Sequence, residues 1–500
     1  MNARSRRLWD RGMAHFAAGN LVAAQAAFDA MLAIDPGSPQ ALFRLSVLQA
    51  SQGRFQAALA LAQRAQERDP ERGELLANVA RCLLLTGRTE AARATATRAL
   101  ALPRKNAPLL DGLGAIMTRL DEQTLAIEMF DQAIALQPHS AGLYFNRALA
   151  QQQFGLYEGA ERDLETCIAL NPAHGKAHFA LAEMLPRGPA DNHVERLRAQ
   201  LQLAPPRSAQ EEFLSLSLFR ELDDLGRYEE AWLALERGIA SRRGRWPAAA
   251  AQPRAISDAL LSACGETVPE PAPGRSSVAP LFLLGMPGSG VSLLGKLLGR
   301  HSKVHHLGSL APFARLLSQA IGRDTSTLFD AAEIARFPGV DFAALGRDYL
   351  AAVSPASGQR GLLVCESRPM NFQLAPFIAR ALPNARFLHV TRDPVDNCVS
   401  ILDHAWSETS LPQHEAGRLA SAYLDYRHLM LHWGELLPGR IMDVSYESLV
   451  ERPETVLRVV CGSIGLRYGS ALRTGLMLHA RSIGRGARYL GRLPALKALA

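Results

Sequence analysis

Cysteine is scarce in this chain and nowhere paired: Cys82, Cys167, Cys264, Cys365, Cys398 and Cys461 are scattered over 500 positions without a CxxC spacing. That pattern excludes a zinc ribbon and gives no sign of a disulfide framework, so reduced thiols in a cytoplasmic protein are expected, with no metal. Long apolar runs are also missing: none approaches the ~18 residues of a membrane span. The basic start MNARSRRLWDRGMAHFAAGN is followed by no signal-peptide core, so neither export nor membrane spanning is expected. Aromatic residues are only 6% and basic residues are dispersed, which disfavours a nucleic-acid partner. What remains is a composition of 48% hydrophobic and 21% charged residues, that of a folded chain long enough for several domains. A net charge of +7 leans towards an anionic ligand.

The strongest internal signal is a period of 34 residues. Ala24, Ala58, Ala92, Ala126 and Ala160 keep that spacing, and Gly19, Gly53, Gly87 and Gly155 precede them in phase, with Asp121 where the fourth glycine is expected. Pro36, Pro70, Pro103, Pro138 and Pro172 close the units. Each unit reads as two amphipathic helices: the glycine turns the chain, the alanine allows close approach, and the proline ends the second helix. The pattern resembles the tetratricopeptide repeat. It predicts an all-α solenoid over residues 1–245, with clear units in 5–174, a degenerate stretch over 175–211 and a last unit at about 212–243. A stacked array of this kind offers a concave face for a peptide or protein partner; a spacer or an oligomerisation scaffold is the plainer alternative, and a homodimer stays open. Residues 246–278 are rich in proline and alanine and read as a linker.

From residue 279 to 500 short apolar runs alternate with helical segments. LFLLG, GLLVC, ARFLHVT and GRIMDVSY look like buried parallel strands, which predicts an α/β domain with ligands at the carboxyl ends of the strands. After the first run comes GMPGSGVS, residues 285–292, a P-loop-like segment in which Val291 stands where a Walker A loop has its lysine. Backbone N–H groups and a helix start can still hold an anion there, but kinase or ATPase chemistry is disfavoured. After the third run, TRDPVDNCVS places Arg392 at a strand tip and Ser400 two turns into a helix. The pair suits a second phosphate, with pairing of Arg392 to Asp393 or Asp396 as the structural alternative.

Two phosphate-type sites without a Walker lysine, together with ESRPMNF, LPNARFLHVTRDPVDNCVS, GRIMDVSYESLVERPE and RSIGRGARYLGRLPALK, resemble the sulfotransferase domain of bacterial proteins that couple it to tetratricopeptide repeats, a group similar to protein-tyrosine sulfotransferases. The resemblance implies 3′-phosphoadenosine 5′-phosphosulfate (PAPS) as co-substrate and no metal. It implies that Pro287, Gly288, Ser289, Gly290, Val291 and Ser292 grip the 5′-phosphosulfate, that Arg392 and Ser400 hold the 3′-phosphate, and that Tyr446, Ser482 and Arg485 close over the nucleotide. The acceptor it implies is a hydroxyl, such as tyrosine, of a peptide or protein engaged by the repeats.

Departures from the family pattern fall on the catalytic side. The loop arginine is Gly288, its first threonine is Val291, the acidic base position is Ser309, the lysine of a second motif is Ser367, and a tryptophan is Gly486. Glu366 and His306 are the remaining candidates for the base, and Arg368 is a cation one position from the missing lysine. The two readings are thus an active sulfotransferase and a weak or inactive relative that serves as an interaction scaffold.

Overall fold

The computed structural model describes residues 3–102, 106–243, 253–269, 278–308, 311–323, 329–353, 362–404, 415–469, 472 and 482–499. Pro103, Ser309 and much of the 246–278 stretch lie outside the described residues. Two compact units are present, Met1–Thr166 with Gly322–Ser326, and Cys167–Ile321 with Thr327–Ala500.

The first unit is built from helix pairs. Ala3–Ala17 with Leu21–Ile34, Pro39–Ser51 with Phe55–Arg68, Gly73–Leu85 with Thr89–Leu100, and Ala107–Arg119 with Gln123–Leu136 repeat one design. Ala24, Ala58, Ala92 and Ala126 are fully buried where the paired helices meet, so a larger side chain there forces the helices apart. Each helix–helix turn needs a left-handed residue. Gly19, Gly53 and Gly87 supply it at φ +73° to +78°, and Asp121 takes the same conformation at φ +60°, which short polar side chains tolerate better than other residues do.

The second unit begins with Gly175–Met184, Val194–Leu203, Ala209–Asp224 and Tyr228–Arg243, helices that the sequence groups with the repeats. A single apolar core joins Phe179, Leu214, Phe219 and Leu235 of this group to Phe282, Tyr349 and Phe387 on one face of a sheet. The stretch read as linker contains a further helix, Pro253–Cys264, whose Ile256, Leu260, Ala263 and Cys264 are buried in the same core. Those residues share one helical face, and burying that face outweighs the breaking tendency of the flanking prolines.

The sheet has five parallel strands: β1 (Val278–Leu284), β2 (Val304–His306), β3 (Leu362–Glu366), β4 (Arg386–Thr391) and β5 (Ile441–Ser445), in the order β2-β3-β1-β4-β5. Its second face is covered by Leu294, Leu297, Leu457 and Val460 packed on Leu281, Leu283, Leu388 and Val390. Burial on both faces accounts for the continuous apolar runs of the strands. Replacing fully buried Phe282 by alanine removes a ring shared with Phe313, Tyr349 and Phe387 and costs ~3–5 kcal/mol. The strand β2 has no counterpart in the sequence reading, because three residues containing two histidines carry no periodic signal. From β1 the chain crosses towards β3 and β2, whereas β4 and β5 lie on the other side of β1. The carboxyl ends of β1 and β4 therefore flank a topological switch point, where sheets of this type leave a crevice.

Among the described residues no helix is long and apolar enough to cross a membrane. The cysteines are buried free thiols.

Candidate active site at the carboxyl ends of β1 and β4

A cavity of about 320 Å³ opens at this switch point. Its floor is the loop that follows β1. Gly288 has φ +79°, and a Cβ there would stand 3.0 Å from Ser400 Oγ and 3.1 Å from Asn397 Nδ2. Gly290 has φ +102° and abuts the Tyr446 ring. Both positions require glycine, because the chain must turn into the helix Val291–Leu298 while lying flat against its neighbours. The first turn of that helix reaches the cavity through Val291, Ser292 and Leu293, so N–H groups without intrahelical acceptors and the positive end of the helix dipole are at the site. Ser289 is almost fully buried, and its Oγ has no hydrogen-bond partner.

Arg392 follows β4 and is only 8% exposed. Its Nη1 donates to Gly288 O at 2.6 Å and its Nη2 to Ser482 O at 2.8 Å, while the guanidinium lies 4.5 Å from the centre of the Tyr446 ring. Its Nε is buried without a partner. These bonds tie the β1 loop to the C-terminal segment across the cavity. Tyr446 OH and Ser482 Oγ, 2.9 Å apart, add a second tie. Ser400, on the helix Pro394–Leu402, lies against Gly288 and lines the cavity. Asn397, one turn earlier, donates from Nδ2 to Pro287 O at 2.8 Å. The same helix holds the C-terminal segment from its other side, where the Asp396 carboxylate accepts from the backbone N–H groups of Gly484 at 2.7 Å and Gly486 at 2.5 Å. A Cβ at Gly486 would collide with the Val395–Asp396 backbone, so this packing has no room for a tryptophan.

Arg485 reaches the cavity but is engaged on its far side, donating to Asp403 Oδ2 at 2.6 Å and Asp223 Oδ2 at 2.9 Å. Burial opposes the charge on Asp403, yet Arg220 and Arg485 hold its carboxyl well below the usual carboxylate range. Asp403 therefore stays ionised, and the network it anchors binds Arg220 and Asp223 of the helix Ala209–Asp224 to the wall of the site.

Of the residues singled out by sequence, the cavity gathers Gly288, Gly290, Val291, Ser292, Arg392, Ser400, Tyr446, Ser482 and Arg485. Pro287 and Ser289 shape the loop without lining it. The two base candidates lie elsewhere. Glu366, at the end of β3, is completely buried on the core face near Tyr349, Asn371 and Phe313; burial raises its pKa to about 8, against the pull of Arg368. His306 Nε2 is 2.7 Å from Ser367 Oγ, which also lies 3.1 Å from Gly308 O, so the imidazole is engaged beside β3 and does not line the cavity. Burial first, then Lys296 and His305, lowers the His306 pKa to about 4. The cavity wall also contains Glu183, Arg220, Asp224, Asp403 and His404, which sequence reasoning did not reach. Asp403 and His404 follow Ser400 by one turn and could have been found from it, whereas Glu183 and Arg220 arrive only through packing across the chain. Among the described residues no group of three or more His, Cys, Asp or Glu side chains is placed to hold a metal.

Residues 280–470 match the Sulfotransferase family, and residues 15–58, 49–116 and 113–202 match the Tetratricopeptide repeat. An uncharacterized protein of Aquifex aeolicus (strain VF5) is 29% identical over 197 residues, which are 37% of this chain and 25% of that protein. WD and tetratricopeptide repeats protein 1 of Mus musculus is 46% identical over 65 residues, 12% of this chain and 10% of that protein. This chain thus spans a quarter or less of the length of either relative. Among solved structures, a thermophilic TPR protein of Thermus thermophilus aligns at 20% identity over 36% of this chain and 98% of its own, with a TM-score of 0.34. The sulfotransferase match includes the glycine loop, Arg392, Ser400 and Tyr446, and ends before Ser482 and Arg485. It supports a sulfotransfer role for the α/β domain, and the repeats support protein interaction. The chain couples tetratricopeptide repeats to a domain of the sulfotransferase family.

Proposed function

We propose that the second unit binds PAPS in the switch-point cavity and transfers its sulfuryl group to a hydroxyl of a peptide or protein, tyrosine among the candidates, that the repeats engage. The observation that carries the reading is the pairing of a glycine loop at a helix start with the buried guanidinium of Arg392 on one cavity. A buried cation with an unpartnered Nε, beside a hydroxyl and a row of backbone N–H groups, suits a ligand with two anionic groups. In this reading the loop from Pro287 to Ser292 holds the 5′-phosphosulfate, Arg392 and Ser400 hold the 3′-phosphate, and Tyr446, Ser482 and Arg485 cover the nucleotide. Bound there, the nucleotide supplies an activated sulfuryl group: an acceptor O–S bond forms, the S–O bond to the 5′-phosphate breaks, and the acceptor proton leaves to a base. Residues that aim N–H donors at the phosphate stabilise the charge that develops on it. The free thiols fit a cytoplasmic setting.

A second reading, nucleotide binding with weak or no transfer, is favoured by one specific observation. Glu366 and His306, the base candidates, do not line the cavity. The experiment that separates the two is transfer of ³⁵S from labelled PAPS to a tyrosine-containing peptide library by the purified chain. Labelled peptide supports the enzyme. Absence of label, with nucleotide binding intact, supports the scaffold.

A further inference from the structure

The helix Ala209–Asp224 is grouped by sequence with the repeats, yet its Arg220 lines the same cavity as Gly288, Ser400 and Arg392. Arg220 is only 5% exposed, and its guanidinium lies 4.7 Å from the centre of the Phe179 ring, which holds it in place. Its contacts with carboxylates are long: Nη2 is 3.4 Å from Asp403 Oδ1 and Nη1 is 3.5 Å from Glu183 Oε1. A strong charge-assisted bond is shorter, at ~2.7–2.9 Å. Arg485 makes such bonds, at 2.6 Å to Asp403 and 2.9 Å to Asp223, so the Asp403 charge is already matched from that side. Arg220 Nε is buried without a hydrogen-bond partner, as is Nε of Arg392. Two buried guanidiniums with unsatisfied donors therefore flank one cavity, and Arg220 meets its carboxylates, Asp403 and Glu183, at longer range than Arg485 meets Asp403, while its charge helps to keep both ionised.

Its position along the wall is set by Asp403 and His404. Both follow Ser400 by one turn, and His404 Nδ1 is 3.1 Å from Ser400 O and 3.0 Å from Arg220 Nη2. Arg220 thus lies on the Ser400 side of the cavity. The left-handed backbone and close neighbours of Gly288 exclude a long side chain from the loop; Arg220 brings a cation into the same cavity from the helix Ala209–Asp224.

We propose that Arg220, supplied by a helix of the repeat region, is a binding residue of the nucleotide site and contacts the phosphate held at Ser400, the ligand class being a nucleoside 3′,5′-bisphosphate. The proposal rests on the nucleotide reading above and adds to it that the site is incomplete without the repeat-region helices. Glu183, on Gly175–Met184, competes for the same guanidinium and sets how much of its charge the ligand meets.

The test is calorimetric titration of the full chain with adenosine 3′,5′-bisphosphate and, separately, adenosine 5′-monophosphate. Arg220→Gln is expected to weaken the bisphosphate roughly 10- to 100-fold, the loss of one charge-assisted hydrogen bond, and to leave the monophosphate nearly unchanged. Glu183→Gln is expected to tighten the bisphosphate a few-fold. Its side chain is 44% exposed, so this arm does not depend on how Arg220→Gln folds. Unchanged bisphosphate affinity in both variants overturns the proposal, and so does an equal loss on both nucleotides, which marks Arg220 as structural only. If Arg220→Gln does not fold, the Glu183→Gln result decides alone. Failure of the wild-type chain to bind either nucleotide overturns the underlying nucleotide reading instead, without reference to any variant.

Discussion

The two halves of the sheet's carboxyl edge treat polar side chains in opposite ways. Over β1 and β4, Arg392, Ser400 and the glycine loop converge on a cavity, and Arg392 Nε is buried in its wall without a partner. Over β3 and β2, Glu366 is enclosed in the core, and His306 and Ser367 satisfy one another. The difference shows that an anion-holding geometry can persist on one side of a switch point while the neighbouring strand ends are absorbed into packing.

Four substitutions break or sharpen this contrast. The largest effect is expected from Arg392→Ala, which removes the donors to Gly288 O and Ser482 O together with the charge. Affinity for adenosine 3′,5′-bisphosphate should fall at least ~100-fold, since hydrogen bonds to a charged group contribute ~1.5–3 kcal/mol each. Isothermal calorimetry reads it, and an unchanged constant would remove Arg392 from the site.

Glu366→Gln addresses the other half. The Glu366 pKa is raised to about 8 against an ordinary 4.5, mainly by burial. The folded chain holds this proton while the unfolded chain releases it, so the group's stabilisation is complete below pH 4.5 and is lost as pH rises towards 8. The wild type should lose up to ~1.4 kcal/mol per pH unit across that window from this group. Urea melts of Glu366→Gln should lack that component, and bisphosphate affinity should be unchanged. Loss of nucleotide binding in the variant would contradict a core role.

Gly288→Arg should destabilise by ~1–3 kcal/mol, because a non-glycine residue at φ +79° is strained and Ser400 and Asn397 crowd its Cβ. A denaturation midpoint measures it. A gain in stability together with transfer activity would show that the loop adapts. An effect confined to acid pH is expected from His306→Asn. With a pKa lowered to about 4, neutral His306 contributes stability above pH 6.5 that is lost as pH falls towards 4, as the unfolded chain takes up the proton first. The variant should flatten acid destabilisation in that window, measured by thermal melts at stepped pH.

Sequence alone made the repeats legible because alanine, glycine and proline each serve one geometric need per period. Even the exception fits, since Asp121 adopts the left-handed turn of the glycines it replaces. The strands β1, β3, β4 and β5 were readable as apolar runs. Strand β2 was not, since its three residues owe their pairing to the register with Leu363–Cys365. The helix Pro253–Cys264 was obscured by prolines at its margins, although Ile256 and Leu260 already mark a face. In the site, the glycine loop and the strand-tip arginine announce themselves by local spacing. Glu183 and Arg220 do not: Arg220 meets Asp403 across 183 residues of chain, and no local pattern encodes such a contact. Nor does spacing tell whether a carboxylate at a strand end faces a cavity or the core, which is what separates Glu366 from the groups around Arg392.

The central claim is that the β1–β4 half of the edge is a site for a doubly anionic nucleotide. It is tested most directly by titrating the full chain, in a calorimeter near neutral pH, with adenosine 3′,5′-bisphosphate and with adenosine as the uncharged control. The account predicts saturable one-to-one binding of the bisphosphate and at least ~100-fold weaker binding of adenosine, in keeping with two phosphate contacts. No binding of the bisphosphate, or equal affinity for adenosine, would contradict it.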